Sequence, residues 1–208
     1  MTVVLTVDSA DWRRHVDGIA SAVAGLVPVV KGNGYGFGRA PLAAIAAELG
    51  DTLAVGTVHE LAGMPTGVTT VVLTPTLRAP DTLAPILTVG SPEHVDALRD
   101  WGGRVLVKLG STMRRFGRGP ELIETARAAG LDVVGVSIHP PLAGSDADHR
   151  AEVEAWLPRI DPIHEVWLSH LSPAEYTRLP ASHRYRLRVG TLLWHGDKST
   201  LHLGADVL

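Results

Sequence analysis

The chain has 208 residues, 45% of them hydrophobic and 20% charged, which suffices for one large domain with a sizeable buried core. A formal net charge of −3 with no long basic run argues against a nucleic-acid or acidic-membrane partner, and the absence of cysteine excludes disulfides, thiolate metal sites and a cysteine nucleophile. No basic segment followed by a long apolar run opens the chain, and no apolar run nears the roughly 20 residues that span a bilayer, so a cytoplasmic protein with no membrane partner is expected.

In chain order, Ser9 is placed to cap a first helix, whose Trp12, Val16, Ile19 and Val23 recur at helical spacing. The apolar run Val27–Val30 follows as a strand, and Lys31 stands directly after it. Pro41 suits the first turn of the next helix, with Leu42, Ile45 and Leu49 inward and Gly50 as its stop. Further β-branched runs come at Leu53–Val58, Thr69–Leu73 and Ile86–Val89, the last followed by Ser91-Pro92-Glu93 as a helix start. Val105–Lys108 is the fifth strand, and a helix from near Pro120 to Gly130 leads into Val133–Ile138. Val166–Ser169 precedes Ser172-Pro173, a cap with its first helical residue, and Leu187–Leu193 is the eighth strand.

Runs that are apolar at consecutive positions suit parallel strands buried on both faces. Eight of them alternating with helices predict the α/β class and a (β/α)8 TIM-like barrel, with an open doubly wound sheet as the alternative. Trp194–Ser199 reads as a polar turn and Thr200–Leu208 as one further strand, which an eight-stranded barrel has no place for. The expected organisation is therefore a barrel over residues 1–194, then a linker and the first strand of an absent C-terminal β domain over 195–208.

Chemistry gathers at the ends of these strands. Lys31 at a barrel mouth would be partly desolvated, which favours the neutral amine needed for imine formation, and the glycines after it let backbone approach a ligand closely. The lysine precedes the glycines, so this is not a Walker loop, and on spacing alone a solvated surface turn explains it as well. Lys108 ends the fifth strand and Arg115 follows in the next loop. His139 ends the sixth. Ser172 caps a helix whose first N–H groups would suit an anion, and Gly190-Thr191 lies at the eighth, after Arg188, which needs a partner if it faces the core. His139, Asp146, Asp148 and His149 could be read as a metal cluster, but Asp146 and Asp148 read as helix-start residues and no metal is assigned.

Four segments carry a family resemblance. Lys31-Gly-Asn-Gly-Tyr35-Gly-Phe-Gly38 resembles the alanine racemase pattern Lys-Ala-Asn-Ala-Tyr-Gly-His-Gly. Lys108-Leu-Gly-Ser-Thr-Met113-Arg-Arg115-Phe-Gly117 resembles Lys-x-Asp-Thr-Gly-Met-x-Arg-Leu-Gly. Gly135-Val-Ser-Ile-His139 resembles Gly-x-x-Thr-His, and Arg188-Val-Gly190-Thr191-Leu-Leu-Trp-His-Gly196 resembles Arg-Pro-Gly-Ile-x-Leu-Tyr-Gly. Their order and approximate intervals agree across nearly the whole chain. Gly110, Thr112, Phe37 and Val189 depart from the pattern, which makes this a divergent member and leaves alanine specificity open.

The resemblance implies a pyridoxal 5'-phosphate enzyme, an amino-acid racemase acting on a small amino-acid substrate, and a homodimer. Lys31 would hold the cofactor and act as one of two bases. Tyr35, Ser172, Gly190 and Thr191 would hold its phosphate, Arg115 would approach the phenolic oxygen, His139 would pack near the ring and Arg188 would pair with the ring nitrogen. Lys108 matches a lysine that can be carbamylated. The opposite-face base of the family is a tyrosine of the second, β-rich domain. A pyridoxal-phosphate carrier without catalysis, a decarboxylase or dehydratase on the same scaffold, and a phosphosugar barrel remain the alternatives.

Overall fold

The fold is that of a computed structural model, which describes residues 3–205. Its elements follow in chain order: β1 (Val3–Val7), α1 (Ser9–Ala22), β2 (Leu26–Pro28), α2 (Arg39–Glu48), β3 (Thr52–Val55), β4 (Thr69–Val72), β5 (Ile86–Val89), α3 (Pro92–Ala97), β6 (Arg104–Lys108), α4 (Glu121–Ala128), β7 (Asp132–Ser137), α5 (Asp146–Trp156), β8 (Glu165–Ser169), α6 (Pro173–Tyr176), β9 (Tyr185–Val189), α7 (Thr191–His195) and β10 (Leu201–Ala205). Eight parallel strands run in the order β2-β9-β8-β7-β6-β5-β4-β3, and a bridge between Val29 and Ala54 brings the two ends of that sheet together. This is the expected (β/α)8 TIM-like barrel, nearly closed.

Alternation of side chains across the strands divides the core into two parts. Val27, Val29, Ala54, Val71, Ile86, Leu106 and Trp167 fill the barrel interior. The opposite faces, among them Val30, Leu53, Val55, Val72, Val105 and Leu168, pack outward against the helices. Because both faces are covered, the strands read as unbroken apolar runs rather than alternating ones.

The ring of helices is incomplete. Between β3 and β4 the chain makes only a short 3-10 turn, Val58–Glu60, and between β4 and β5 the proline-rich stretch 73–85 contains no helix. The β4–β5 seam is correspondingly thin, with Val71 and Ile86 as the paired residues, and the Thr88 hydroxyl donates to the Val72 carbonyl oxygen at 2.7 Å beside them.

Three local expectations change. Asp8, not Ser9, caps α1, its carboxylate accepting from the Asp11 N–H at 3.3 Å. A capping side chain must sit one residue outside the helix, and Ser9 is already helical. The eighth strand ends at Val189 rather than Leu193, because Gly190 turns the backbone and Thr191–His195 closes a helical turn with Leu193 and Trp194 buried. An apolar run this short fits a buried strand and a buried helix equally well. The segment 194–199, expected as a polar turn, is thus helical at its start, and Trp194 is fully buried, donating from Nε1 to the Val29 carbonyl oxygen at 2.7 Å.

The additional strand is β10, and it pairs antiparallel with β1, from Val3↔Ala205 to Val7↔Leu201, as a two-stranded sheet separate from the barrel. No strand is expected over residues 3–7 from sequence. A strand with most of its side chains exposed, as in β1, gives a weak amphipathic signal. The last three residues of the expected strand Thr200–Leu208 lie outside the described residues. No described helix is long and apolar enough to cross a membrane.

Where β7 meets β6 its register shifts, Val133 facing Val105 but Gly135 facing Leu106, so Val134 is bulged out. Gly135 then lies so close to β8 that a Cβ there would sit 2.5 Å from the Glu165 carbonyl oxygen and 3.2 Å from Trp167 Nε1. Backbone cannot retreat from that contact cheaply, so Gly135→Ala is expected to destabilise the protein by about 1–3 kcal/mol. Urea denaturation of the pair of proteins measures this, and unchanged midpoints would contradict it.

Candidate active site

The C-terminal ends of the barrel strands converge on a cavity of about 180 Å³, whose walls include Lys31, Lys108, Arg115, Ser137, His139 and Arg188. A barrel presents the ends of several strands to one space, so residues far apart in sequence meet there. Lys31 comes from the end of β2, Lys108 from β6, Ser137 and His139 from β7, and Arg188 from β9. Leu73, Thr74 and Pro75 close the side beyond β4.

Arg188 is the most constrained of these groups. It is 7% exposed, and its guanidinium donates from Nε to the Leu168 carbonyl at 3.1 Å and from Nη2 to those of Ile138 at 2.9 Å and Trp167 at 3.3 Å. No carboxylate lies within ion-pair distance of it among the described residues. Burial lowers it only to about 10, so it stays charged at neutral pH.

That charge shapes its neighbours. His139 is pushed down to about 2, by burial first and then by Arg188 and the other surrounding cations, so its imidazole is neutral. Its Nδ1 meets the Ser169 hydroxyl, and its ring lies 4.6 Å from that of His170. Lys108, 5% exposed, is lowered from 10.5 to about 8 by burial and by Arg115 and Arg188, and its Nζ donates to the Arg115 carbonyl oxygen at 2.9 Å. The desolvated lysine of the cavity is therefore Lys108. Lys31, expected to be the partly desolvated one, is exposed.

The loop that carries Lys31 is held by Glu60, whose carboxylate accepts from the Gly32 N–H at 3.1 Å and the Gly56 N–H at 2.9 Å. Tyr35 sits in the left-handed region with a φ of 55°, and its hydroxyl lies directly over Gly190, where a Cβ would be 2.0 Å from it. Any larger residue there would displace the Tyr35 ring. Burial pushes the Tyr35 phenol up to about 12, so it keeps its proton and remains a donor.

The expected site residues thus fall into two groups. Lys31, Arg115, His139 and Arg188 are brought together on the cavity. Tyr35, Ser172, Gly190 and Thr191 do not line it: Tyr35 packs on Gly190, and Thr191 is exposed at the start of α7. Ser172 is occupied locally, its hydroxyl accepting from the Glu175 N–H at 3.3 Å and its own N–H donating to the Asp146 carboxylate at 3.1 Å. Asp146 and Asp148 lie at the start of α5, where Ser145 and Asp148 form a capping box.

Sequence reasoning left out Ser137, Thr74 and Pro75. Ser137 stands two residues before His139 and so shares its direction in the strand, a signal that period-two alternation carries. Its buried hydroxyl has no hydrogen-bond partner among the described residues, although it borders the cavity. Thr74 and Pro75 come from an irregular loop and had no such signal.

Lys108 gives a test of this electrostatic picture. Its folded value of about 8 lies below its ordinary 10.5, so between these two pH values the unfolded chain binds a proton that the folded chain does not. Stability should therefore rise from about pH 8 to 10.5 in the parent, relative to Lys108→Met, in which this rise disappears. Denaturation midpoints of both proteins across that range measure the difference, and parallel curves would refute it.

Residues 7–197 match the family model described as alanine racemase, N-terminal domain. Among solved structures, alanine racemase from Bartonella henselae, with covalently bound pyridoxal phosphate, is 18% identical with a TM-score of 0.71, covering 100% of this chain and 67% of that one. Alanine racemase from Corynebacterium glutamicum is 22% identical with a TM-score of 0.66, covering 93% of this chain and 62% of its own. The arginine decarboxylase of Paramecium bursaria Chlorella virus bound to agmatine is 12% identical with a TM-score of 0.72, covering 100% of this chain and 70% of that one. The chain thus spans about two thirds of the length of these structures. A search of curated proteins gave no match.

Proposed function

Because this chain belongs to the alanine racemase N-terminal domain family, which is pyridoxal-phosphate-dependent, we propose that it is the cofactor-binding barrel of an amino-acid racemase of the alanine type, interconverting L- and D-alanine. The observation that supports this reading is the meeting of Lys31, Arg115, His139 and Arg188 around one cavity, each from a different part of the chain. The donor set fits the cofactor: an amine at the mouth, a buried guanidinium inside and the unpartnered hydroxyl of Ser137 at the wall.

Bound there, pyridoxal phosphate supplies an electron-withdrawing ring that makes the substrate Cα–H acidic. The residues of the chain do the rest. Lys31 would hold the cofactor through Nζ and move a proton on one face of Cα, and its exposure leaves it reachable by both cofactor and substrate. Arg188 would donate to the ring nitrogen and keep its own proton, so that the ring would draw electrons more weakly than beside a carboxylic acid. Neutral His139 packs against the ring without adding a further charge. Arg115 approaches the phenolic oxygen. Tyr35, Ser172, Gly190 and Thr191 stand outside the cavity lining, and the resemblance alone assigns them to the phosphate, toward which Tyr35 would offer a hydroxyl that stays protonated.

The same reading makes residues 195–208 the linker and first strand of a β-rich domain, with the pairing of β10 to β1 outside the barrel as its support. The opposite-face base, a tyrosine, belongs to that domain and acts within a homodimer. A cytoplasmic setting completes the reading, and the lack of cysteine is compatible with it.

Incubation with pyridoxal phosphate, reduction with borohydride and peptide mapping test the central assignment. The label is expected on Lys31 and is expected to vanish in Lys31→Ala; a label on Lys108 instead would overturn it. A decarboxylase on this scaffold is the second reading, favoured by the arginine decarboxylase match. Exchange of the α-hydrogen of alanine for deuterium supports the racemase, whereas release of carbon dioxide from a basic amino acid would support the decarboxylase.

A further inference from the structure

A second cavity, of about 320 Å³, opens beside the first and is lined by Gly90, Ser91, Gly110, Ser111, Arg114, Phe116, Gly117 and Arg118. Phe116, half-exposed, lines both cavities, which therefore adjoin. The loop 110–118 shares out its three arginines: Arg115 borders the cavity of Lys31, while Arg114 and Arg118 border the other.

Backbone conformation produces this division. Arg114, Phe116 and Gly117 have φ values of 53°, 55° and 95°, so three residues of four are left-handed. Two of them are not glycine, at a cost of about 1–2 kcal/mol each. The loop is fixed in that shape at both ends. Glu152 accepts from the Thr112 N–H at 2.5 Å and hydroxyl at 2.9 Å, and Ser111 donates to the His139 carbonyl at 2.8 Å. The Gly117 N–H donates to the Gly90 carbonyl at 2.9 Å and that of Arg118 to the Lys108 carbonyl at 3.2 Å.

Neither Arg114 nor Arg118 has a carboxylate within ion-pair distance among the described residues. Glu93, exposed at the start of α3, feels the Arg118 charge, and the side chain of Ser91 and this charge hold its carboxyl below the ordinary range. Two exposed arginines lining a cavity that adjoins that of Lys31 at Phe116 match a ligand with an apolar stem and a terminal carboxylate. We propose that this second cavity receives the distal carboxylate of a dicarboxylic amino acid whose α-amino end lies at Lys31. Substrate preference then extends beyond alanine to acidic amino acids, an extension that rests on the cofactor reading above.

The test uses the full chain loaded with pyridoxal phosphate, titrated with alanine, aspartate and glutamate of each hand and followed by cofactor absorbance. Half-saturation with an acidic amino acid is expected at a concentration at least about tenfold below that for alanine. The double variant Arg114→Gln/Arg118→Gln should raise the acidic value about tenfold or more and hold the alanine value within about twofold. Glu93→Gln, which removes the carboxylate facing Arg118, should lower it. Equal affinity for alanine and acidic amino acids in the parent, or a loss in the double variant that affects both alike, would overturn the proposal.

Calorimetry with glutarate on the cofactor-free chain provides a second readout. Binding that the double variant abolishes supports a carboxylate site. Binding of glutarate together with no preference for acidic amino acids would assign the cavity to a free dicarboxylate and overturn the substrate form. If no amino acid changes the absorbance and Lys31 takes no label, the cofactor reading fails, and glutarate binding alone then decides whether the cavity accepts a carboxylate.

Discussion

A guanidinium can be buried only if its donors are satisfied, and the way Arg188 is satisfied organises the candidate site. Two residues earlier on the same strand face, Arg186 meets this demand by pairing with Asp51 at 2.8 Å and Glu165 at 3.3 Å. Arg188 instead donates to the backbone carbonyls of Ile138, Trp167 and Leu168. Carbonyls satisfy donors without cancelling the charge, so the positive field persists into the cavity. The neutral state of His139 and the lowered basicity of Lys108 both follow from burial beside that field.

Much of this was legible in the sequence because it depends on regular elements. The eight strands appear as consecutive apolar runs, and a residue that ends such a run is placed at the barrel mouth whatever its exact boundary. Lys31 and His139 could be located in this way, and the structure brings them together with Arg115 and Arg188. Period alone could not show that Gly190 ends a strand and starts a helical turn, since Thr191–Trp194 is apolar enough for either. The phosphate set was inferred by resemblance, and its members contact backbone or one another locally rather than lining the cavity. The exposure of Lys31 and burial of Lys108 were likewise invisible, because burial in a loop depends on what folds over it.

The irregular segments carry the individuality of this protein. The loop 110–118 departs from the family pattern at Gly110 and Thr112, and the second departure has a visible partner, since Thr112 is the residue that Glu152 grips. A side chain in place of the usual glycine has thus become an anchor, holding a strained backbone in one shape. The β1–β10 sheet lies outside the barrel in the same sense: it is defined by pairing between distant segments, with Val3, Val4 and Leu203 exposed, and while β10 reads as a strand in the sequence, no local periodicity announces β1.

The thin seam between β4 and β5 gives the barrel a mechanical asymmetry. On the side of β6 to β9, neighbouring strands share several paired residues and Arg188 staples β7 and β8 across its guanidinium. On the other side one pair, a threonine hydroxyl and a helix-free loop complete the circuit. Apart from Lys31, the charged groups of the cavity thus stand on the densely paired side of the barrel, and the facing wall of Leu73, Thr74 and Pro75 hangs from β3, where the Leu73 and Thr74 N–H groups donate to the Val55 and Gly56 carbonyls at 3.0 and 2.9 Å. The two halves of the lining are therefore held by different strands, these cations by β6 to β9 and the uncharged wall by β3.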